Sequence, residues 1–155
     1  MKTEYVVPFV EAAISVLKDM CMITDIKRGQ LNAKNDAVVT RGVAPLIGVT
    51  GQISGRVVYD MDTRTALKLA SIMNGETFSE WNEFVESTIE EFANIVTGQA
   101  LTGLNNKGIK VDLTPPVLFT GQNMKIANTK MMTLIVPLEL SIGRIEINVS
   151  LQENK

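Results

Sequence analysis

The sequence predicts an α+β fold in which long helices pack against an antiparallel or mixed sheet. Apolar residues recur at three- and four-residue spacing over residues 3–22 and 83–104, as in amphipathic helices. Two β-rich regions, at 45–60 and 131–151, show the alternation and the turn residues of β-hairpins. The length of 155 residues fits a single domain over residues 1–155 that is large enough to bury a core.

The first helix and the first hairpin occupy the N-terminal part of the chain. Pro8 falls in the first turn if the helix begins near Val6, where its missing N–H costs little. Residues 23–44 are mixed and polar, which indicates a short strand and loops. In the hairpin at 45–60, glycines supply turn or bulge positions at Gly48, Gly51 and Gly55.

Two further helices follow the hairpin. The first is predicted from a cap at Asp62 or Thr63 to about residue 73, where an Asn-Gly pair ends it. The second is predicted over about residues 83–104, closed by a polar Asn-Asn and Gly stretch. We expect Trp81, just before this helix, to lie in the core.

The C-terminal part is predicted to form strands. The runs at 109–113, 117–120, 131–140 and 142–151 are β-rich, and the last two form a hairpin. Pro137 suits an edge strand better than a central one, because proline cannot donate to the ladder.

A faint repeat relates the two hairpins. The run Ile-Ser-Gly-Arg-Val at 53–57 echoes Ser-Ile-Gly-Arg-Ile at 141–145. The order of helix, extended stretch and hairpin also occurs twice. An internal pseudo-repeat and coincidence stand as equal alternatives.

Composition excludes several classes of function. The chain has no His and one Cys, which removes Ser-His-Asp and Cys-His catalysis, imidazole metal sites, intrachain disulfides and Cys-rich zinc sites. The chain has a net charge of −2, whereas nucleic-acid-binding proteins usually carry an excess of basic residues. No signal peptide or membrane span is apparent, so we expect a cytoplasmic protein without membrane or nucleic-acid partners. Cys21, near the end of an apolar helix, is expected to be buried.

The helix at 83–104 carries a polar face opposite its apolar one. The apolar residues fall within an arc of about 100°, and they are Val85, Ile89, Phe92, Ala93, Val96 and Ala100. Ser87, Glu91, Asn94 and Gly98 lie nearly opposite, within about 60°. A mid-helix glycine costs up to about 1 kcal/mol relative to Ala. Either another molecule or domain approaches Gly98 closely, or a helix of the same chain packs there.

Residues 87–100 resemble the signature helix of the CheC/CheX/FliY phosphatases of bacterial chemotaxis. That signature has Asp or Ser, Glu four residues later, Asn three further, then Gly and a small residue. It is matched by Ser87, Glu91, Asn94, Gly98 and Ala100. Residues 5–12, 48–59, 65–70 and 114–121 are also similar to the CheX type, so the resemblance covers most of the chain.

The sequence departs from the family pattern at two places, and the first of them concerns the number of sites. CheC and FliY types carry two Glu and Asn pairs, whereas the first helix here has Glu11 and Ile14 at the nearest counterpart. Ile cannot accept a hydrogen bond or position water, which leaves one intact site, the CheX pattern. Gln99 stands where the family often has Asn, about 80° from Glu91, and we treat it as peripheral.

The resemblance implies a CheC-like fold, homodimerisation through sheet edges, and a function. The implied function is hydrolysis of the aspartyl phosphate of a phosphorylated CheY-like response regulator. Asn94 would orient the attacking water, Glu91 would pair with the regulator's phosphate-binding Lys, and Ser87 and Gly98 would contact the partner. No metal or cofactor of its own is implied, because the regulator brings Mg²⁺.

Two other functions stay open from the sequence. A non-catalytic adaptor would bind a response regulator or a flagellar-switch component without turning it over. An unrelated small-molecule binding domain is the third reading, and a ligand in a deep pocket would support it. The intact Glu91 and Asn94 pair favours the enzyme.

Overall fold

The computed structural model describes residues 2–35, 37–127 and 131–154. After a 3-10 turn at Thr3–Tyr5, the elements are α1 (Val7–Asp19), β1 (Lys27–Arg28), β2 (Asn32–Lys34), β3 (Val38–Val39), β4 (Val43–Gly51), β5 (Ile53–Met61), α2 (Thr63–Asn74), α3 (Glu83–Asn106), β6 (Val111–Leu113), β7 (Val117–Thr120), β8 (Lys125–Ile126), β9 (Thr133–Leu140) and β10 (Gly143–Glu153). Helices packed on an antiparallel sheet confirm the predicted α+β class.

The main sheet has the strand order β1-β9-β10-β5-β4-β6, and its neighbouring strands are antiparallel. Strand β2 also pairs with β9, and β7 pairs with β4. Strands β3 and β8 form a small separate sheet. Both predicted hairpins, β4–β5 and β9–β10, are present.

The pseudo-repeat is visible in the topology. A helix, three short strands and a hairpin occur first as α1 to β5 and again as α3 to β10. The two hairpins lie side by side because β5 pairs with β10 at the centre of the sheet. The echoing residues are not equivalent, however, since Gly55 lies inside β5 whereas Gly143 begins β10.

Helix α3 is fixed on the sheet by a buried cluster around Tyr59 of β5. The Tyr59 and Thr97 hydroxyls share a hydrogen bond of 2.8 Å. The rings of Tyr59 and Phe92 meet edge to face, with centroids 6.1 Å apart. Helices α1 and α2 both contact α3. The orientation of α3 about its own axis is therefore set by its buried face.

The helix boundaries follow the predicted capping residues, with one correction. Asp62 accepts from the amide of Thr65 at 2.8 Å, and Gly75 ends α2 with φ 64°. Pro8 lies in the first turn of α1, as predicted. The prediction that this helix reaches residue 22 is wrong: it ends at Asp19, and Met22 has the positive φ of 57°.

The edge position predicted for Pro137 is also wrong, because β9 has neighbours on both sides. The Pro137 carbonyl accepts a hydrogen bond from the amide of Gly29 at 2.8 Å. In an extended strand the nitrogen of a residue faces the same side as its carbonyl. The Pro137 nitrogen therefore faces the gap between β1 and β2, where no strand needs a donor.

Candidate functional site

One face of α3 brings together the four residues predicted from the sequence. Ser87 and Glu91 are exposed, and Asn94 and Gly98 are partly exposed. The opposite face is buried at every predicted position, namely Val85, Ile89, Phe92, Ala93, Val96 and Ala100. Residues three apart on a helix are neighbours, with Cβ atoms about 5–6 Å apart. The Glu91 carboxylate and the Asn94 amide therefore stand side by side towards solvent.

Neither of these two side chains is engaged within the chain. In the described ranges, no hydrogen bond or ion pair involves the Glu91 carboxylate or the Asn94 amide. Thr88, at the edge of the same face, differs: its hydroxyl donates to the Phe84 carbonyl and accepts from the Asn74 amide, both at 2.7 Å. The unpaired carboxylate and amide are free to bind groups of another molecule.

Gly98 leaves open space on this face. A Cβ placed there would meet nothing within 4 Å among the described residues. At Gly103, one and a half turns later, a Cβ would come to 3.7 Å from Pro8 of α1. Helix α1 therefore approaches α3 at Gly103 but not at Gly98, and the second alternative from the sequence, that a helix of this chain packs at Gly98, is wrong.

The counterpart positions on α1 do not form a second site of this kind. Glu11 is exposed, whereas Ile14 packs against the core. Gln99 is exposed on the side of α3 that faces α1, in a groove shared with Glu11 and Ser15. On α1 the position that corresponds to Asn94 is held by Ile14, which carries no amide.

The comparisons with known proteins agree with this geometry. The profile of the family described as "Chemotaxis phosphatase CheX" matches residues 43–139, which include the whole of α3. This chain belongs to the CheX family. Over 117 residues, 75% of this chain and 74% of the relative, it is 31% identical to the CheY-P phosphatase CheX of Thermotoga maritima.

Solved structures extend the match to nearly the full length of this CheX-family chain. The CheX of Borrelia burgdorferi, solved as a CheX-CheY-BeF3-Mg²⁺ complex, has a TM-score of 0.85 and 36% identity, covering 98% of this chain and 100% of that one. A CheC-like superfamily protein from Shewanella has a TM-score of 0.88 and 28% identity, covering 98% and 99%. The predicted CheC-like fold and family are confirmed.

Other features of the CheX-family chain lie away from the α3 face. An open cleft of about 510 Å³ beside the start of α2 is lined by Arg41, Arg64 and Trp81, among others. Trp81 packs against the core but is only partly buried, so the prediction that it lies in the core is confirmed in part.

In the described part of the chain, no three His, Cys, Asp or Glu side chains form a metal cluster. No described helix is long and apolar enough to cross a membrane.

A buried polar cluster that was not predicted from the sequence lies on the other side of the sheet. Asp60, Thr40 and Asn148 are at least nine-tenths buried and line one cavity of about 10 Å³, enough for a single water. Asp60 Oδ1 accepts from the Arg41 amide at 2.8 Å, but Asp60 Oδ2, Thr40 Oγ1 and Asn148 Oδ1 have no hydrogen-bond partner among the described residues. The sequence feature that could have indicated this cluster is the aspartate inside the apolar run of β5.

Cys21 is buried, as predicted, and burial raises the pKa of its thiol.

Proposed function

We propose that this protein accelerates hydrolysis of the aspartyl phosphate of a CheY-like response regulator, using Asn94 and Glu91. The observation that carries the proposal is the unpaired carboxylate and amide, side by side on an exposed helix face, in a member of the CheX family. A curated relative with 31% identity is a CheY-P phosphatase. The same partner implies the cytoplasm as the site of action.

The chemistry needs little from the phosphatase. An acyl phosphate is already activated, so the main task is to hold a water in line with the phosphorus. The water oxygen bonds to phosphorus, the bond to the aspartyl oxygen breaks, and the regulator regains its carboxylate. The two water protons pass to phosphate and solvent. The products are inorganic phosphate and the unphosphorylated regulator.

Asn94 fits the water-positioning role. Its amide oxygen accepts a hydrogen bond from the water, and its NH₂ group can donate to the phosphoryl oxygens or to the regulator. Because the rest of α3 is anchored through Tyr59, the amide is held on a rigid element. The absence of His from the chain costs this mechanism nothing.

Glu91 docks the helix in the proposed complex. Its carboxylate pairs with the regulator's phosphate-binding Lys, which fixes the register of α3 against the phosphorylation site. Ser87 contacts the partner one turn before Glu91, and Gly98 allows close approach one turn beyond Asn94. Mg²⁺ is supplied by the regulator; the related Borrelia CheX was solved with CheY, BeF3 and Mg²⁺.

The adaptor remains the second candidate, because an exposed helix face can bind a regulator without turnover. The unpaired Asn94 amide beside Glu91 favours the enzyme, since binding alone does not need a water-positioning group.

Removing the Glu91 carboxylate tests its docking role. We expect Glu91→Ala to raise the KM for the phosphorylated regulator about tenfold or more, and to lower kcat, because a charge-assisted pair is lost. The measurement is phosphate release from CheY-like regulators of the same organism that have been loaded with acetyl phosphate. Glu11→Gln on α1 is the matched control and should leave both constants unchanged. Unaltered kinetics of Glu91→Ala would contradict the docking role, and detectable binding without turnover by the wild type would favour the adaptor.

A further inference from the structure

The charge of this protein is unevenly distributed along the chain. Residues 69–106, which contain all of α3, include no Lys or Arg and six Glu. The whole chain carries a net charge of −2, so the remaining residues together carry +4. The segment that holds Glu91 and Asn94 is therefore strongly acidic in a molecule that is otherwise slightly basic.

Three of these glutamates border the α3 face on one side. Glu83, Glu86 and Glu90, here named the acidic flank, fall about 20–80° from Asn94 around the helix axis. Glu83 and Glu86 are exposed, and Glu90 is partly exposed. In the described part of the chain none of them forms a salt bridge. The N-terminal end of the helix dipole favours Glu83 and Glu86, but no Lys or Arg of the described chain is paired with the acidic flank.

Phe84 borders the same face on the other side. It lies about 20° from Glu91 around the helix, two turns closer to the N-terminus. Its side chain is 70% exposed. The fold gains little from a phenylalanine there, because full burial of such a side chain stabilises by roughly 1.5–3 kcal/mol and most of its surface stays in water. Exposed aromatic residues beside a binding face are typical of interface anchors.

We propose that Phe84 and the acidic flank select which response regulator this protein dephosphorylates. The partner they fit carries a cluster of Lys and Arg residues, together with an apolar recess that accepts the phenyl ring, beside its phosphorylation site. The inference rests on the proposed function and adds the chemistry of the partner surface around it. A regulator with an acidic border at this position is excluded by repulsion.

The two parts of this surface have different kinetic roles. Charges that remain exposed at the border of an interface mainly increase the association rate, and salt screens them. An aromatic side chain that becomes buried in a recess mainly slows dissociation. Neither part touches the attacking water, so neither contributes to the chemical step.

Steady-state kinetics with a regulator loaded from acetyl phosphate separates these roles. We expect Phe84→Ala to raise KM about tenfold, while kcat stays within about twofold of the wild type. We expect Glu86→Gln/Glu90→Gln to lower kcat/KM several-fold at low salt, with a weaker salt dependence than the wild type. Gln is as good a helix former as Glu, so α3 is preserved.

Matched controls remove the same groups from elsewhere. Val39→Ala removes exposed apolar surface from β3, which covers the sheet face opposite α3. Glu4→Gln/Asp112→Asn removes two negative charges outside residues 69–106. Neither control should change KM, kcat or the salt dependence.

Binding of a beryllofluoride-activated regulator, measured by titration calorimetry, gives an independent readout. Weaker binding of Phe84→Ala and of the double glutamine variant, but not of the controls, supports the surface whether or not turnover occurs. Wild-type affinity for both variants overturns the inference, even where the wild type is an active phosphatase. An inactive wild type whose binding still depends on Phe84 would instead remove the proposed function and keep the surface.

Discussion

Asp60 is a residue whose environment opposes its charge. Burial, and to a smaller extent Glu146 on the neighbouring strand, raise the pKa of its carboxyl to about 6, although the hydrogen bond from the Arg41 amide lowers it. Within the described ranges, only one of its carboxyl oxygens has a hydrogen-bond partner. The side chain lies on the sheet face away from α3, so it affects stability and not the proposed chemistry.

The free energy of unfolding should therefore depend on pH through Asp60. Because the folded pKa exceeds the unfolded value of 3.8, the folded state binds the proton more tightly. Stability then falls as pH rises from about 4 to about 6. Asp60→Asn removes this loss, and its amide nitrogen is a donor in the cavity where Asn148 Oδ1 and Thr40 Oγ1 lack one among the described residues. We expect it to be more stable than the wild type by about 1–3 kcal/mol at pH 8.

Urea denaturation at pH 4 and pH 8 checks this expectation. The stabilisation by Asp60→Asn should be present at pH 8 and largely lost at pH 4, where the wild-type carboxyl is protonated. Asp112→Asn, at an exposed position, should show no such difference. An Asp60→Asn effect of equal size at both pH values would contradict the account.

At the scale of elements, α3 combines a rigid inner face with an open outer one. Its cap at Asn82 accepts from the Val85 amide at 2.9 Å, and its inner face is held by Tyr59. On the outer face, Gly98 lowers the helix propensity of α3, and no contact in the described chain explains a glycine there. A partner that approaches the backbone closely gives the reason.

Gly98→Ala tests this reason directly. The added methyl group meets open space, so we expect the free energy of unfolding to rise by up to about 1 kcal/mol. We also expect weaker binding and slower dephosphorylation of the regulator, because the methyl group obstructs its approach. Gly103→Ala, whose Cβ would make an ordinary 3.7 Å contact with Pro8, is the control for stability without loss of activity. Full activity of Gly98→Ala would remove Gly98 from the docking face.

The elements that the sequence predicted are those with local signals. Helix α2 has Asp62 and Gly75 at its ends, and α3 has a continuous apolar face, so both were placed within two residues of their observed bounds. Strands β1 to β3 have two or three residues each, and they form only by pairing with strands that are distant in the chain, β1 and β2 with β9 and β3 with β8. The edge position of Pro137 was predicted wrongly for the same reason. Which strand lies beside Pro137 depends on where β1 ends and β2 begins along β9.

The resemblance of α3 to the family's signature helix suggested the candidate site, and the common face of its residues was predictable because they lie on one helix. The spacing of Ser87, Glu91, Asn94 and Gly98 alone fixes their common face. Spacing does not show which exposed positions stay uncovered once α1 and α2 have packed. The exposure of Phe84 and the open space at Gly98 therefore needed the structure.

At the scale of the whole molecule, the sheet leaves an apolar edge. Strand β7 pairs only with β4 among the described strands, and it exposes Val117 by 52% and Phe119 by 42%. Exposed edge strands invite pairing with another chain, and proteins protect them by covering or charging them. The homodimer implied by the family resemblance would cover this edge, and it stays a prediction.

Sedimentation measures the oligomeric state. We expect about twice the monomer mass of 17.0 kDa for the wild type, and a folded monomer for Val117→Lys, because a charge on the edge opposes pairing. Ile72→Lys, which places the same charge on α2, should remain dimeric. A wild type that sediments at 17.0 kDa at micromolar concentration would show that the edge is not a dimer contact.

The central claim is that the Asn94 amide positions the water that attacks the aspartyl phosphate. The most direct measurement is single-turnover loss of the acyl phosphate from a loaded CheY-like regulator, with saturating wild type, Asn94→Ala or Gln99→Ala. The account predicts fast loss with the wild type and with Gln99→Ala, whose amide lies off the face. With Asn94→Ala it predicts a rate at least about 100-fold lower at unchanged binding, because positioning in the transition state is lost. Loss of the acyl phosphate by Asn94→Ala at the wild-type rate would contradict it.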